Sequence, residues 1–248
     1  MSHSFEKKSY VVVGGSGGIG GEVCRLLVER GARVMAAARS EERLRAAAAS
    51  TGAEAFPMDA ADSSQVEAGF DHATQLFGGL DGAVNCAGSL LLKPAHVTTP
   101  GEWASTIEAN LTTAFYLLRA AARAMMNSGG SIVLVSSAAA RTGLANHEAI
   151  AAAKAGVIGL ALSAAATYAP RGIRVNAVAP GLVATPLTAR ITSNEESLKA
   201  SARMHALGRP GAPEEIASAI EWLLDPEQSW VTGQVLGVDG GLGSVRAR

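Results

Sequence analysis

Two cysteines in 248 residues leave this chain without a disulfide framework. Cys24 falls in an expected helix and Cys86 beside an expected strand, positions that suit buried thiols, and neither belongs to a metal-ligating cluster, so no metal centre is expected. Charge of one sign is missing too. With 21 Lys and Arg against 22 Asp and Glu, the formal net charge of −1 leaves no electrostatic footprint for nucleic acid or an anionic membrane surface. The opening MSHSFEKKSY has no apolar signal core and no later stretch reads as an uninterrupted membrane span, so a cytoplasmic protein without membrane contact is the expectation. What the chain does have is apolar bulk. At 48% hydrophobic it can bury a large core, and a single domain over residues 1–248 is expected.

The rest of the chain is organised around SYVVVGGSGGIGGEVCRLLVERG, from Ser9 to Gly31. Tyr10 to Val13 is a β-branched apolar run suited to a buried central strand, and Val23, Leu26 and Leu27 recur at helical spacing beyond it. Between them Gly14, Gly18 and Gly20 make a G-x-x-x-G-x-G turn, with Ser16 and Ile19 inside it. Strand, glycine turn and helix together place unpaired N–H groups and a positive dipole end where a ligand backbone can approach closely. A dinucleotide diphosphate fits that cradle, whereas a glycine-rich loop alone would be a weak signal.

The second strand is expected over Arg33 to Ala38, ahead of Arg39, Ser40 and a helix from Glu41 to Ala49. The end of such a strand meets the adenosine ribose, and Ala38 cannot accept a 2′-hydroxyl while Arg39 can pair with a 2′-phosphate. NADP(H) is therefore favoured over NAD(H), the alternative being that Arg39 is a solvated strand-end arginine; Gly17 stands where a second basic residue would have helped. A short third strand, Ala53 to Met58, leads to Asp59, which either accepts from the adenine amino group or caps, although Asp62-Ser63 already reads as the cap of the next helix. That helix carries Val66, Phe70, Ala73 and Phe77 on one face, and a further strand runs into Asn85-Cys86-Ala87-Gly88. Beyond it lie a helix over Thr112 to Met126, a strand over Ser131 to Val135, an alanine-rich helix over Ala145 to Ala169, and a helix that starts at Pro213.

The glycine turn together with Asn85-Cys86-Ala87-Gly88, Asn110 in EANLTTAFYL, Ser137 in SIVLVSSAAA, NAVAPGLVATP and the late VTGQVLGVDGG resembles the short-chain dehydrogenase/reductase family, in order and over nearly the whole chain. The resemblance implies an α/β fold, one doubly wound parallel sheet of about seven strands with helices on both faces, assembled as a homotetramer or homodimer. It implies cofactor contacts from Asn85, Ala87 and Gly88 beside the ribose and from Pro180, Gly181, Val183 and Thr185 beside the nicotinamide, and a substrate loop over about 187–208. It also implies an oxidoreductase for an alcohol or carbonyl, in which a serine holds the substrate oxygen, an asparagine anchors a water, and a lysine binds the nicotinamide ribose and favours the ionised form of a tyrosine four residues before it.

Asn110, Ser137 and Lys154 match those roles, but the tyrosine position holds Ile150. Isoleucine neither donates nor accepts a proton, and positioned acid–base groups contribute ~10²–10⁴ in rate. Among substitutes, Tyr168 lies roughly 20 Å along a helix from Lys154 at about 1.5 Å per residue, too far to take part. His147 is two turns before Lys154 and near the same face, so it is the better candidate, and His205 in the substrate loop or Lys154 itself are the others. Val13 replaces the family's usual threonine, which puts a local hydrogen bond near Asn85 in doubt, and Cys86 replaces a frequent asparagine. Leu90, Leu91, Ala138, Leu144, Leu182 and Leu187 would make an apolar pocket for an apolar small molecule, though core packing explains such residues equally. Two readings follow: an atypical NADP(H)-dependent oxidoreductase, or a non-catalytic NADP(H)-binding regulatory or partner subunit.

Overall fold

The structure, a computed structural model, describes residues 4–245. Seven strands form one sheet: β1 (Ser9–Val13), β2 (Arg33–Ala38), β3 (Glu54–Pro57), β4 (Gly82–Asn85), β5 (Gly130–Val135), β6 (Ile173–Pro180) and β7 (Val235–Val238). Their order is β3-β2-β1-β4-β5-β6-β7 and every neighbouring pair is parallel. Parallel strands need crossover connections, and here helices supply them on both faces. The expected doubly wound sheet is therefore what the chain forms. Strand order reverses between β1 and β4, so the crevice beyond their carboxyl ends is where such sheets take ligands.

Alternation along β1 divides the interior. Val11 and Val13 face the core shared with α3 (Ser63–Phe77), α5 (Thr113–Met125) and α6 (Glu148–Tyr168), whereas Tyr10 and Val12 face the core of α1 (Gly18–Glu29), α2 (Glu41–Thr51) and α9 (Pro213–Leu224). The expected faces are the buried ones: Val66, Phe70, Ala73 and Phe77 on α3, and Ala114, Leu117, Leu118, Ala121 and Met125 on α5. Asp62 caps α3, accepting from the Ser64 and Gln65 N–H groups at 2.9 and 3.2 Å. Between α4 (Pro100–Ile107) and α5 the helix widens into a π turn, Glu108–Thr112, which carries Asn110 inward. The polar stretch after Pro186 is itself helical, with α7 (Ala189–Thr192) and α8 (Glu195–Met204).

Two expectations need correction. The alanine-rich helix starts at Glu148 rather than Ala145, because Asn146 takes a left-handed φ of 64° and His147 occupies the cap position. Contrary to the sequence reading, Glu148–Arg171 contains an 18-residue window of mean hydropathy 1.8 and is, by length and composition alone, long and apolar enough to cross a membrane. Packing accounts for that hydropathy: Val157, Ala161, Ala164 and Ala165 are buried in the core shared with β6, and small side chains let the helix lie close to the sheet.

Candidate active site

The glycine turn closes by approach too tight for side chains. Gly14 has φ +82°, and a Cβ there would lie 2.7 Å from the Ala87 nitrogen, so the turn after β1 packs directly on the segment after β4. At Gly18 a Cβ would come within 2.9 Å of the Thr185 methyl, which brings the loop after β6 against the start of α1. The Gly17 N–H bonds the Gly14 carbonyl at 2.9 Å, no side chain caps α1, and its first turn has no acidic residue. A diphosphate fits that cradle, with open helical N–H groups beside half-buried Ser16 and Ile19. Val183 is buried, while Pro180 and Gly181 lead into the loop that carries Thr185.

At the other end of the crevice Arg39 is exposed and Ser40 half-buried at the start of α2. Asp59 makes a turn bond, its carboxylate accepting the Ala61 N–H at 3.0 Å. Val13 costs Asn85 little. Its amide donates to the Thr113 hydroxyl at 3.3 Å and its carbonyl oxygen accepts the Ala87 N–H at 3.2 Å, so the side chain is satisfied without a neighbouring threonine at position 13.

Asn110, Ser137 and Lys154 come from three elements to one end of the sheet. The π turn aims the Asn110 side chain at the segment after Gly88, where it accepts the Ser89 N–H at 3.2 Å and donates to the Ser89 hydroxyl at 3.0 Å. Ser137 follows β5, and its hydroxyl oxygen accepts the Ala139 N–H at 3.1 Å, which leaves its own proton free to donate. Lys154 is 8% exposed and its Nζ donates to the Val135 carbonyl at 2.9 Å. A Cβ on Gly88 would lie 3.5 Å from that Nζ. Burial lowers the ammonium to about 8, with Cys86 opposing the shift, and burial pushes the Cys86 thiol up to about 12 against the pull of Lys154. Both cysteines are free.

Ile150 lies one turn before Lys154 and is 3% exposed. His147 is half-buried at the cap of α6, its Nδ1 2.7 Å from the Ala145 carbonyl oxygen. A carbonyl only accepts, so Nδ1 is the donor of that contact, and in the neutral ring Nε2 is the nitrogen left to accept. His205 is instead a brace: Nδ1 meets the Ser201 carbonyl at 2.8 Å and Nε2 accepts the Leu182 N–H at 3.1 Å, both within the interior. With both nitrogens engaged it has no position free for a substrate. Tyr168 ends α6, away from Lys154. Leu90, Leu91, Leu144 and Leu182 are half-buried, Ala138 is buried and Leu187 exposed.

Sequence reasoning passed over Ser136 and Ser89. Ser136 is buried and its hydroxyl donates to the Lys154 main-chain carbonyl at 2.8 Å; the Ser136-Ser137 doublet was the only signal. Ser89 had none, since its role depends on the π turn.

A family model described as "Enoyl-(Acyl carrier protein) reductase" matches residues 14–243. A 3-oxoacyl-[acyl-carrier-protein] reductase of Vibrio cholerae is 38% identical over 96% of this chain and 98% of its own length. A cis-4-hydroxycyclohexanecarboxylate dehydrogenase of Sinomonas cyclohexanicum is 40% identical over 99% of this chain and 100% of its own. Among solved structures, a short-chain type dehydrogenase/reductase from Mycobacterium ulcerans superposes with TM-score 0.93 at 33% identity, covering 98% of this chain and 92% of that one. Matching in fold and sequence over almost the whole length, the chain belongs to the short-chain dehydrogenase/reductase family of oxidoreductases.

Proposed function

We propose that this chain is an atypical NADP(H)-dependent oxidoreductase that acts on an alcohol or carbonyl carbon without the family's tyrosine, whose place Ile150 takes. The observation that carries the reading is the convergence of the Ser137 hydroxyl and the Lys154 ammonium at the end of β5, beside the glycine cradle. The nicotinamide, when bound, supplies or accepts the hydride. The chain's own residues bind and orient. The turn from Gly14 to Gly20 and the start of α1 hold the diphosphate, Asn85, Ala87 and Gly88 line the ribose, Pro180, Gly181, Val183 and Thr185 face the nicotinamide, and Lys154 has N–H donors left for the ribose hydroxyls.

Ser137 donates to the substrate oxygen, and Asn110 holds the segment after Gly88 in place. His147 presents Nε2 as a proton acceptor on the same side of α6 as Lys154, which suits removal of a proton from an alcohol. The half-buried leucines favour an apolar substrate, covered by the helical segment over 187–208. The test is turnover with NADPH or NADP over a panel of carbonyls and alcohols, with Lys154→Ala and His147→Gln as controls. Turnover lost in both supports the reading. A second reading, a non-catalytic NADP(H)-binding subunit, is favoured by Ile150; NADPH binding with no turnover above the Lys154→Ala control would establish it instead.

The coenzyme preference has its own readout. Arg39→Ala is expected to raise the Kd for NADPH about tenfold or more while changing that for NADH less than about twofold, because a hydrogen bond between charged groups contributes roughly 1.5–3 kcal/mol. Equal losses for both coenzymes, measured by fluorescence titration, would remove Arg39 from the 2′-phosphate. Trp103, Phe115 and Leu162 are large apolar side chains left exposed on α4, α5 and α6, which supports assembly into a homodimer or homotetramer readable by light scattering.

A further inference from the structure

We infer that Ser136 is a positioning residue that fixes the spacing between Ser137 and Lys154. The inference rests on the reading of those two side chains as site groups and adds a third that touches neither substrate nor coenzyme. Three consecutive residues at the end of β5 have three different tasks. The Val135 carbonyl accepts from Lys154 Nζ at 2.9 Å, the Ser136 hydroxyl donates to the Lys154 main-chain carbonyl at 2.8 Å, and the Ser137 hydroxyl oxygen accepts the Ala139 N–H at 3.1 Å. Lys154 is thus held at both ends, main chain and ammonium, by one short piece of strand.

Ser136 is itself anchored. Its N–H donates to the Val178 carbonyl of β6 at 2.7 Å, continuing the ladder that pairs Val135 with Val178, and it is 3% exposed. The sheet therefore fixes Ser136, Ser136 fixes α6 at the level of Lys154, and the adjoining residue Ser137 is fixed by the same backbone. The hydroxyl bond is additional to the helix ladder, because the Lys154 carbonyl lies inside α6, where it also takes the N–H four residues on. Losing the hydroxyl would leave the helix formed and the strand paired. What it would release is the lateral tie between them, and displacements of a fraction of an ångström are enough to degrade a site built from groups on separate elements.

A merely structural hydroxyl and a positioning one give different readouts. Ser136→Ala is expected to lower the melting temperature by only about 2–4 °C, the cost of one hydrogen bond in a domain of this size. It is also expected to weaken NADPH binding about fivefold and to move the titration midpoint of the Lys154 ammonium, followed by NMR of ¹³C-labelled lysine, from near 8 upward by at least about half a unit as the ammonium gains water. Ser136→Thr, which keeps the hydroxyl, should restore both. An unchanged Lys154 midpoint and unchanged NADPH affinity in Ser136→Ala would overturn the inference. Should the threonine variant fail to fold, the alanine variant's midpoint decides alone. A wild-type protein that binds no NADPH would sink the reading of the site, while the Lys154 midpoint would still report whether Ser136 positions that side chain.

Discussion

Lys154→Met is expected to abolish turnover, weaken NADPH binding roughly 10- to 100-fold, and yet make the protein more stable at pH 7. The binding loss corresponds to the roughly 1.5–3 kcal/mol of a hydrogen bond from a charged donor, here the bond proposed toward the ribose hydroxyls. The stability gain has a separate origin. Lys154 is 8% exposed, its Nζ donates to the neutral Val135 carbonyl, and burial, opposed by Cys86, has brought it from 10.5 to about 8. At pH 7 the folded protein holds a proton it binds more weakly than the unfolded chain does, by about 3 kcal/mol at 1.36 kcal/mol per pKa unit. The sign follows from linkage: between pH 8 and about 10.5 the unfolded chain keeps the proton that the folded state has released, so wild-type stability gains on the methionine variant as pH rises. Methionine forfeits the bond to Val135, which offsets about 1 kcal/mol. The net is about 2 kcal/mol at pH 7, or a melting temperature higher by about 4–8 °C for a domain of this size, shrinking to nothing or reversing near pH 10.5. Thermal melts of both proteins at pH 7 and pH 10 check it. A variant less stable at pH 7 would mean that Lys154 carries no burial penalty and is held by partners that outweigh it.

What could be read of this protein from its sequence was what local spacing and close packing set, and what could not was set by tertiary contacts. The strand Arg33–Ala38 was legible to the residue because the apolar run VMAAA ends at the polar pair Arg39-Ser40, and α3 because four apolar residues fall on one face. The glycine turn was legible because close approach admits no other residue: a Cβ at Gly14 or Gly18 would strike another segment of backbone or side chain. The start of α6 was not, since the left-handed Asn146 that delays it is set by a tertiary bond, the Lys93 N–H to the Asn146 carbonyl at 2.8 Å. Nor was the brace formed by His205. Its partners Ser201 and Leu182 are joined by folding rather than by spacing, so the ring read as a possible proton donor when in fact it ties α8 to the loop after β6. Asn110 was found by motif, but the π turn that aims it and the Ser89 bonds that hold it have no local pattern.

Ile150→Tyr is expected to raise turnover about 100-fold or more while leaving the Kd for NADPH within about threefold, because a positioned acid–base group contributes ~10²–10⁴. Residue 150 stands one helical turn from Lys154, so a phenol there and the ammonium share a face, and the neighbouring positive charge favours the phenolate. Stability should fall, because Ile150 is 3% exposed and a larger side chain at a packed position costs about 1–3 kcal/mol. The informative comparison adds His147→Gln to both backgrounds. If His147 is the proton acceptor of the natural protein, its loss removes most of the wild-type rate but little of the rate of the tyrosine variant, where the phenol has taken over the proton, and the two substitutions depart from additivity. Equal losses in both backgrounds would make His147 a substrate contact instead. A tyrosine variant that binds NADPH and gains no rate would show that what was lost from this site is more than one phenol, and the non-catalytic reading would then hold for the pocket as a whole.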